Sequence, residues 1–160
     1  MLTNSAIKIF SVVFVFLVAV FLRSWTLGYA APWQDELHSI LYSQNSVAHL
    51  VDITRTSDIH PPLYFLTVKF WESVFGNSRE AYRSMSVVLS VISVGLVFLI
   101  VKKTLGLPAA LVASCFIATF PTAVHYGREI RMYPLLSVFF LTSFLALSFH
   151  YLFSLLFLKL

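Results

Sequence analysis

Charge is what this sequence has least of. Only 11% of its 160 residues are charged and 59% are hydrophobic, whereas an ordinary soluble domain is about 25% charged and about 45–50% apolar. A water-soluble fold of this length has no interior large enough to hide so much apolar surface, but a bilayer accommodates it. Cysteine is nearly absent. Cys115 stands alone within an apolar run, so no disulfide forms inside the chain, redox compartment cannot be read from it, and core packing is its expected role. The sequence has no His-Glu-x-x-His and no Cys-x-x-Cys, and its histidines show no ligand spacing. No metal site and no cofactor are therefore expected, although nothing excludes a divalent ion. No glycine-rich phosphate loop is present, which argues against a site for ATP or a soluble nucleotide sugar. The net charge of +4 is divided among separate blocks and makes no basic stripe of the kind nucleic acid requires.

Long apolar runs fill the space that charge leaves. A helix needs about 20 mostly apolar residues to cross the hydrocarbon core, and four segments qualify: about 7–27, 85–101, 107–124 and 134–158. The expected fold is an all-α integral membrane module, residues 1–160, with these spans and an external loop at about 29–83. Lys8 ahead of an apolar run resembles a signal peptide, and Ala30-Ala31 resembles a cleavage site. The run is long for a signal, and further spans follow it, so a retained first span is expected. Pro108 and Pro134 fall near helix starts, where a missing N–H costs nothing. Pro121 is placed to kink the third span near its end.

Residues 61–75 form a fifth, shorter apolar stretch. On a helix, Lys69, Glu72 and Ser73 share one face, while Leu63, Leu66, Phe70 and Val74 lie on another. That pattern fits a helix lying in the interface better than one crossing lipid. With four crossings, 33–83 and 125–133 share one side, while Lys8, Lys102, Lys103 and Lys159 share the other. A fifth crossing would separate the two polar blocks. The positive-inside rule does not decide orientation, because the arginines at 23, 55, 79, 83, 128 and 131 all lie at or beyond the end opposite the lysines.

Four polar blocks interrupt the apolar chain. Asp35 and Glu36 follow the first span directly. Asp35 either caps a short helix, with Glu36 favoured by its dipole, or serves as a general base. Asp58-Ile59-His60-Pro61-Pro62 makes a stiff start to a helix, and His60 is either an interfacial polar group or a donor to a phosphate or sugar oxygen. Arg83 either snorkels to the headgroups or grips a lipid-linked phosphate. The fourth block runs from His125 through Arg128, Glu129 and Arg131 to Tyr133. It is either a snorkelling turn or a site, and polar density at membrane depth favours a site.

In order, Trp33-Gln34-Asp35-Glu36, His60-Pro61-Pro62-Leu63-Tyr64-Phe65, Phe75-Gly76 with Arg83, and Arg128-Glu129-Ile130-Arg131-Met132-Tyr133 resemble the N-terminal part of a known family. These are the membrane glycosyltransferases of the GT-C fold that use polyprenyl-phosphate sugars. They include the protein O-mannosyltransferases and the lipid A aminoarabinose transferase. The resemblance implies transfer of a hexose or mannose-like sugar from the lipid donor to an acceptor hydroxyl at the external face of a multi-pass membrane protein. That face is periplasmic or exterior in a bacterium and luminal in a eukaryote. It implies Asp35, with Glu36, as the catalytic carboxylates. Donor and substrate binding would fall to His60, Arg83, Arg128, Glu129, Arg131 and Tyr133. A single displacement at the anomeric carbon implies inversion. The implied partners are the bilayer and the lipid-linked donor, with the acceptor open among protein, lipid and glycan, and no nucleic acid. Members of the family carry many more spans, so a missing C-terminal half or a partner subunit is expected. The alternative is a truncated membrane protein or assembly subunit with no transferase activity of its own.

Overall fold

The computed structural model describes residues 4–56 and 60–157, with side chains of the last helix described as far as Ser148. Asp58, Ile59, Lys159 and the end of the expected fourth span lie outside the described residues. Eight helices and no strand are found among the described residues: α1 Asn4–Ser24, α2 Gln34–Gln44, α3 Val47–Thr56, α4 Pro62–Phe75, α5 Arg79–Leu105, α6 Leu107–Thr119, α7 Pro121–Tyr126 and α8 Tyr133–Phe157. The chain is an all-helical membrane module. Its helices α1 and α5 are long and apolar enough to cross a bilayer, while α6 and the described part of α8 are shorter apolar helices.

The sequence accounts for most helix ends. Pro62 and Pro108 fall in first turns, and the Ser78 side chain caps α5 by accepting from the Ala81 N–H at 3.1 Å. Gly106 has φ +87, a left-handed conformation natural to glycine, and reverses the chain between α5 and α6. Pro121 does more than kink its helix. The chain breaks at Phe120 (φ −61, ψ 120), so the expected third span becomes α6 and the short α7. Helix α5 starts well before the apolar run 85–101 and carries Arg83 inside its buried face.

Packing divides into two zones. Val15 and Ala19 of α1, Val94 of α5 and Ala118 of α6 form one cluster, where small side chains let the backbones approach closely. Ala110, Ser114 and Ala118 are the buried residues of α6. Cys115 is exposed, so the expected core role for it is corrected: the small side chains of Ala110, Ser114 and Ala118, not the thiol, are buried. Phe10, Phe14, Leu17 and Phe21 of α1 point outward, as do Phe139, Phe140 and Phe144 of α8. Such surfaces suit lipid and would aggregate in water.

The second zone joins the segments between α1 and α5 to the start of α5. Leu50 of α3, Tyr64, Phe65 and Val68 of α4, Tyr82 and Met85 of α5, and Ile130 form one core. Helix α4 shows three faces rather than the two its pattern implies. Its polar face docks on α2, where Lys69 Nζ donates to the carbonyls of Ser43 at 3.2 Å and Asn45 at 2.9 Å. A cation at a helix C-terminus both satisfies orphan carbonyls and opposes the dipole. Leu63, Phe70 and Val74 remain exposed along a third face.

Candidate functional site

The acidic pair opens α2. Both carboxylates occupy its first turn, and the N-cap is Trp33, with no side-chain capping bond. Asp35 is therefore not the cap that one reading of the dipeptide expects. Successive helical residues point about 100° apart, which sends these two neighbours to different environments.

Glu36 points inward and is fully buried. Arg83 donates from Nη2 to its Oε2 at 2.6 Å and from Nε to its Oε1 at 3.0 Å. Oε1 also accepts the Ile130 N–H at 3.0 Å. Arg83 Nη1 donates to the carbonyls of Leu27 at 2.7 Å and Ala30 at 2.9 Å. One two-pronged ion pair thus joins the turn after α1, the start of α2, the start of α5 and the loop after α7. Every nitrogen of the Arg83 guanidinium is already donating, and both Glu36 oxygens are already accepting.

Asp35 is turned toward solvent, with its side chain 40% exposed and Oδ2 3.5 Å from Arg131 Nη2. Arg131 lies 5.8 Å from the Tyr133 ring centre, and its Nε is buried with no hydrogen-bond partner. Tyr133 packs edge-on against Tyr126 at 5.0 Å.

A groove of about 870 Å³ opens beside the ion pair. Its polar lining includes Glu36, Arg83, His125, Arg128 and Glu129, and Leu22 and Val124 belong to its apolar wall. Arg128 reaches across it, donating from Nη2 to the Trp25 carbonyl at 2.6 Å. Among the described residues no carboxylate pairs with Arg128. Next to Trp25, Thr26 adopts φ 55, an uncommon conformation for a β-branched residue and a sign of local strain at the groove edge.

Glu129 is the second acid of the groove. Its Oε1 is 3.2 Å from His125 Nε2, and its Oε2 is buried without a hydrogen-bond partner. Burial pushes its carboxyl above the usual value, and the Glu36 carboxylate adds to the rise. His125, Arg131 and Arg83 pull the other way. A raised folded-state pKa means that the folded protein holds this proton more tightly than the unfolded chain does. The protonated carboxyl is therefore stabilising at low pH, and that contribution is lost as pH rises through the folded-state pKa. Glu129→Gln is expected to raise the thermal midpoint at pH 7, with the gain shrinking to nothing below the unperturbed value of 4.5. A pH series of melting curves in detergent tests this, and a lower midpoint at pH 7 would contradict it.

The expected site residues separate into three groups. Glu36, Arg83, Arg128 and Glu129 line the groove. Asp35, Arg131 and Tyr133 do not line it; they form a chain of contacts that reaches the groove residue Tyr126 through Tyr133. His60 lies at the start of α4 and is not part of the described groove lining. His125 was missed as a site residue, though its i,i+4 spacing to Glu129 was legible in the sequence. Arg23 was missed altogether. Among the described residues no cluster of His, Cys, Asp or Glu is suited to a metal.

Residues 59–158, more than half of the chain, match the family model described as dolichyl-phosphate-mannose-protein mannosyltransferase. The chain belongs to that family. It is thus a mannosyltransferase-like membrane protein of the glycosyltransferase class. No curated protein and no solved structure matches it. The region matched to the mannosyltransferase family begins after Asp35 and Glu36. The fold nonetheless ties both acids to residues inside it, through Arg83, Ile130 and Arg131.

Proposed function

We propose that this protein transfers a mannose-like hexose from a polyprenyl-phosphate donor to an acceptor hydroxyl at the external membrane face. The observation that carries the reading is the groove, where Arg128, paired with no carboxylate among the described residues, stands beside two acids at the end of apolar helices. An unneutralised guanidinium at that depth suits a phosphate whose lipid tail stays in the bilayer. Asp35, exposed and joined to the groove through Arg131, Tyr133 and Tyr126, takes the proton of the attacking hydroxyl as the oxygen bonds to the anomeric carbon. The bond from that carbon to the phosphate oxygen breaks, and Arg128 stabilises the charge left on the departing lipid phosphate. One displacement inverts the anomeric configuration.

Glu36 and Arg83 act in this scheme as a positioning pair, because their polar atoms are already committed. Arg131 orients Asp35 rather than holding phosphate. Helices α1, α5, α6 with α7, and α8 cross the membrane, and α4 lies along its external surface with Leu63, Phe70 and Val74 toward lipid. The gathering of residues 33–36, 83 and 128–131 at one end of α5 supports that arrangement. Lys102 and Lys103 lie at the far end of the same 27-residue helix, which is about 40 Å long at 1.5 Å per residue.

The test is transfer of radiolabelled sugar by the full chain in lipid nanodiscs. A polyprenyl-phosphate mannose donor is expected to support transfer and a nucleotide-linked mannose is not. Arg128→Ala is expected to raise the KM for the lipid donor by about 10–100-fold, the loss of one charge-assisted phosphate contact of about 1.5–3 kcal/mol. Transfer from the nucleotide sugar, or an unchanged donor KM in Arg128→Ala, would overturn the assignment.

A further inference from the structure

Arg23 is a cation with no place in the scheme above, yet it is completely buried near the end of α1. Among the described residues no carboxylate pairs with it. Its Nε donates to Ser90 Oγ of α5 at 2.7 Å. Its Nη1 donates to the Ala118 carbonyl at 2.9 Å and, more loosely, to Ala19 at 3.3 Å. Its Nη2 donates to the Ile117 carbonyl at 3.1 Å.

Two of these acceptors, the Ile117 and Ala118 carbonyls, are ones that the break at Phe120 leaves open. In a continuous helix the Ile117 carbonyl would accept from the N–H of residue 121, but Pro121 has none. The Ala118 carbonyl would accept from residue 122, which the break has turned away. Orphaned carbonyls in a low-dielectric setting each cost free energy unless another donor reaches them. The Arg23 fork supplies donors to both and places positive charge at the negative end of the α6 dipole.

The same guanidinium reaches the groove by a second route. Ser90, which accepts from Arg23, occupies the space that a side chain on Gly127 would need, and the Ala123 carbonyl closes the other side. Gly127 has an ordinary right-handed φ of −73, so glycine is required there for room and not for backbone freedom. The loop carrying Arg128 and Glu129 therefore starts directly on Ser90.

We propose that Arg23 is a positioning residue. By capping the broken end of α6 and fixing Ser90 beneath Gly127, it sets the direction of α7 and the location of the loop that presents Arg128 to the groove. Only the activity part of this inference rests on the proposed transferase function. The loop's location is a property of the fold and has its own readout, because the Ile130 N–H is docked on Glu36.

The experiment uses the full chain in nanodiscs, with amide hydrogen exchange over residues 125–132 and donor kinetics measured together. Arg23→Gln is expected to speed exchange in that segment at least tenfold and to raise the donor KM at least tenfold, while exchange in the middle of α5 is unchanged. Arg23→Lys, which reaches only some of the acceptors, falls between. Ser90→Ala removes the second route alone and carries the test if Arg23→Gln does not fold. It is expected to loosen the loop without loosening α6. Adding Pro121→Ala to Arg23→Gln returns a donor for Ile117 and is expected to restore thermal stability but not loop protection. Unchanged exchange and KM in Arg23→Gln and Ser90→Ala would overturn the proposal. So would uniform loosening of every helix, or full recovery of the loop by Pro121→Ala. If the wild type transfers no sugar while Arg23→Gln still frees the loop, the transferase reading fails and the positioning role stands.

Discussion

Glu36→Ala is expected to destabilise the folded protein by about 3–5 kcal/mol, the usual cost of leaving one member of a buried ion pair without its partner. The loss would exceed that of any other single carboxylate substitution in the chain. Removing the carboxylate strands the Nε and Nη2 donors of Arg83 in a nearly water-free site, where the two side chains are 8% and 0% exposed. Part of that cost is the buried Ile130 N–H, which is orphaned as well, a loss of about 1–3 kcal/mol on its own. Glu36→Gln keeps the shape and an acceptor for Ile130, so a smaller loss is expected. The double substitution Glu36→Leu with Arg83→Met leaves no uncompensated charge. It is expected to cost less than the two single changes added together, with a coupling of about 0.5–3 kcal/mol. Reversible unfolding in mixed micelles measures each term. A loss below about 1 kcal/mol for Glu36→Ala would show that the pair does not hold the loop to α5.

The neighbouring acid is expected to behave in the opposite way. Asp35→Asn should lower kcat by about 10²–10⁴-fold, the contribution of a positioned general base. The donor KM should stay nearly constant, because the lost interaction develops only in the transition state. Stability should change by no more than about 0.5 kcal/mol, since Asp35 is 40% exposed and its contact with Arg131 is a partly exposed ion pair. Arg131→Ala is expected to lower kcat less than Asp35→Asn does, because it disorients the base without removing it. Transfer at the wild-type rate by Asp35→Asn would remove Asp35 from the base role. Two adjacent carboxylates, one proposed as structural and one as catalytic, thus make a direct test of the assignment.

Much of the fold was legible because local chemistry governs it. Apolar runs too long for a soluble core indicate helices in lipid, and proline and glycine positions mark most of their ends. The residues 61–75 were legible as a helix with distinct faces. The docking of its polar face on α2 was not, because the acceptors of Lys69 lie 24 and 26 residues away. At the candidate site, residue types and order were enough to single out the acidic pair and the arginines of the 128–131 segment. Their division of labour was not readable there. Arg83 resembles a phosphate ligand until its nitrogens are seen donating to Glu36, Leu27 and Ala30. Arg23 drew no reading of its own, because the orphan carbonyls of α6 that it reaches lie 94 and 95 residues away.

Composition and apolar spacing by themselves determined that this chain is a helical membrane protein with its chemistry confined to a few polar interruptions. That follows because the cost of exposing apolar surface to water, or an unpaired backbone group to lipid, depends on local residue content. Tertiary structure alone decided which polar residues are spent on one another and which line the groove. Glu36 meets Ile130 across 94 positions and Arg128 meets Trp25 across 103. A partner so distant in sequence is chosen by how helices pack, and that packing buries Arg23 and Arg83 between helices while Arg128 lines the groove and Asp35 stays exposed.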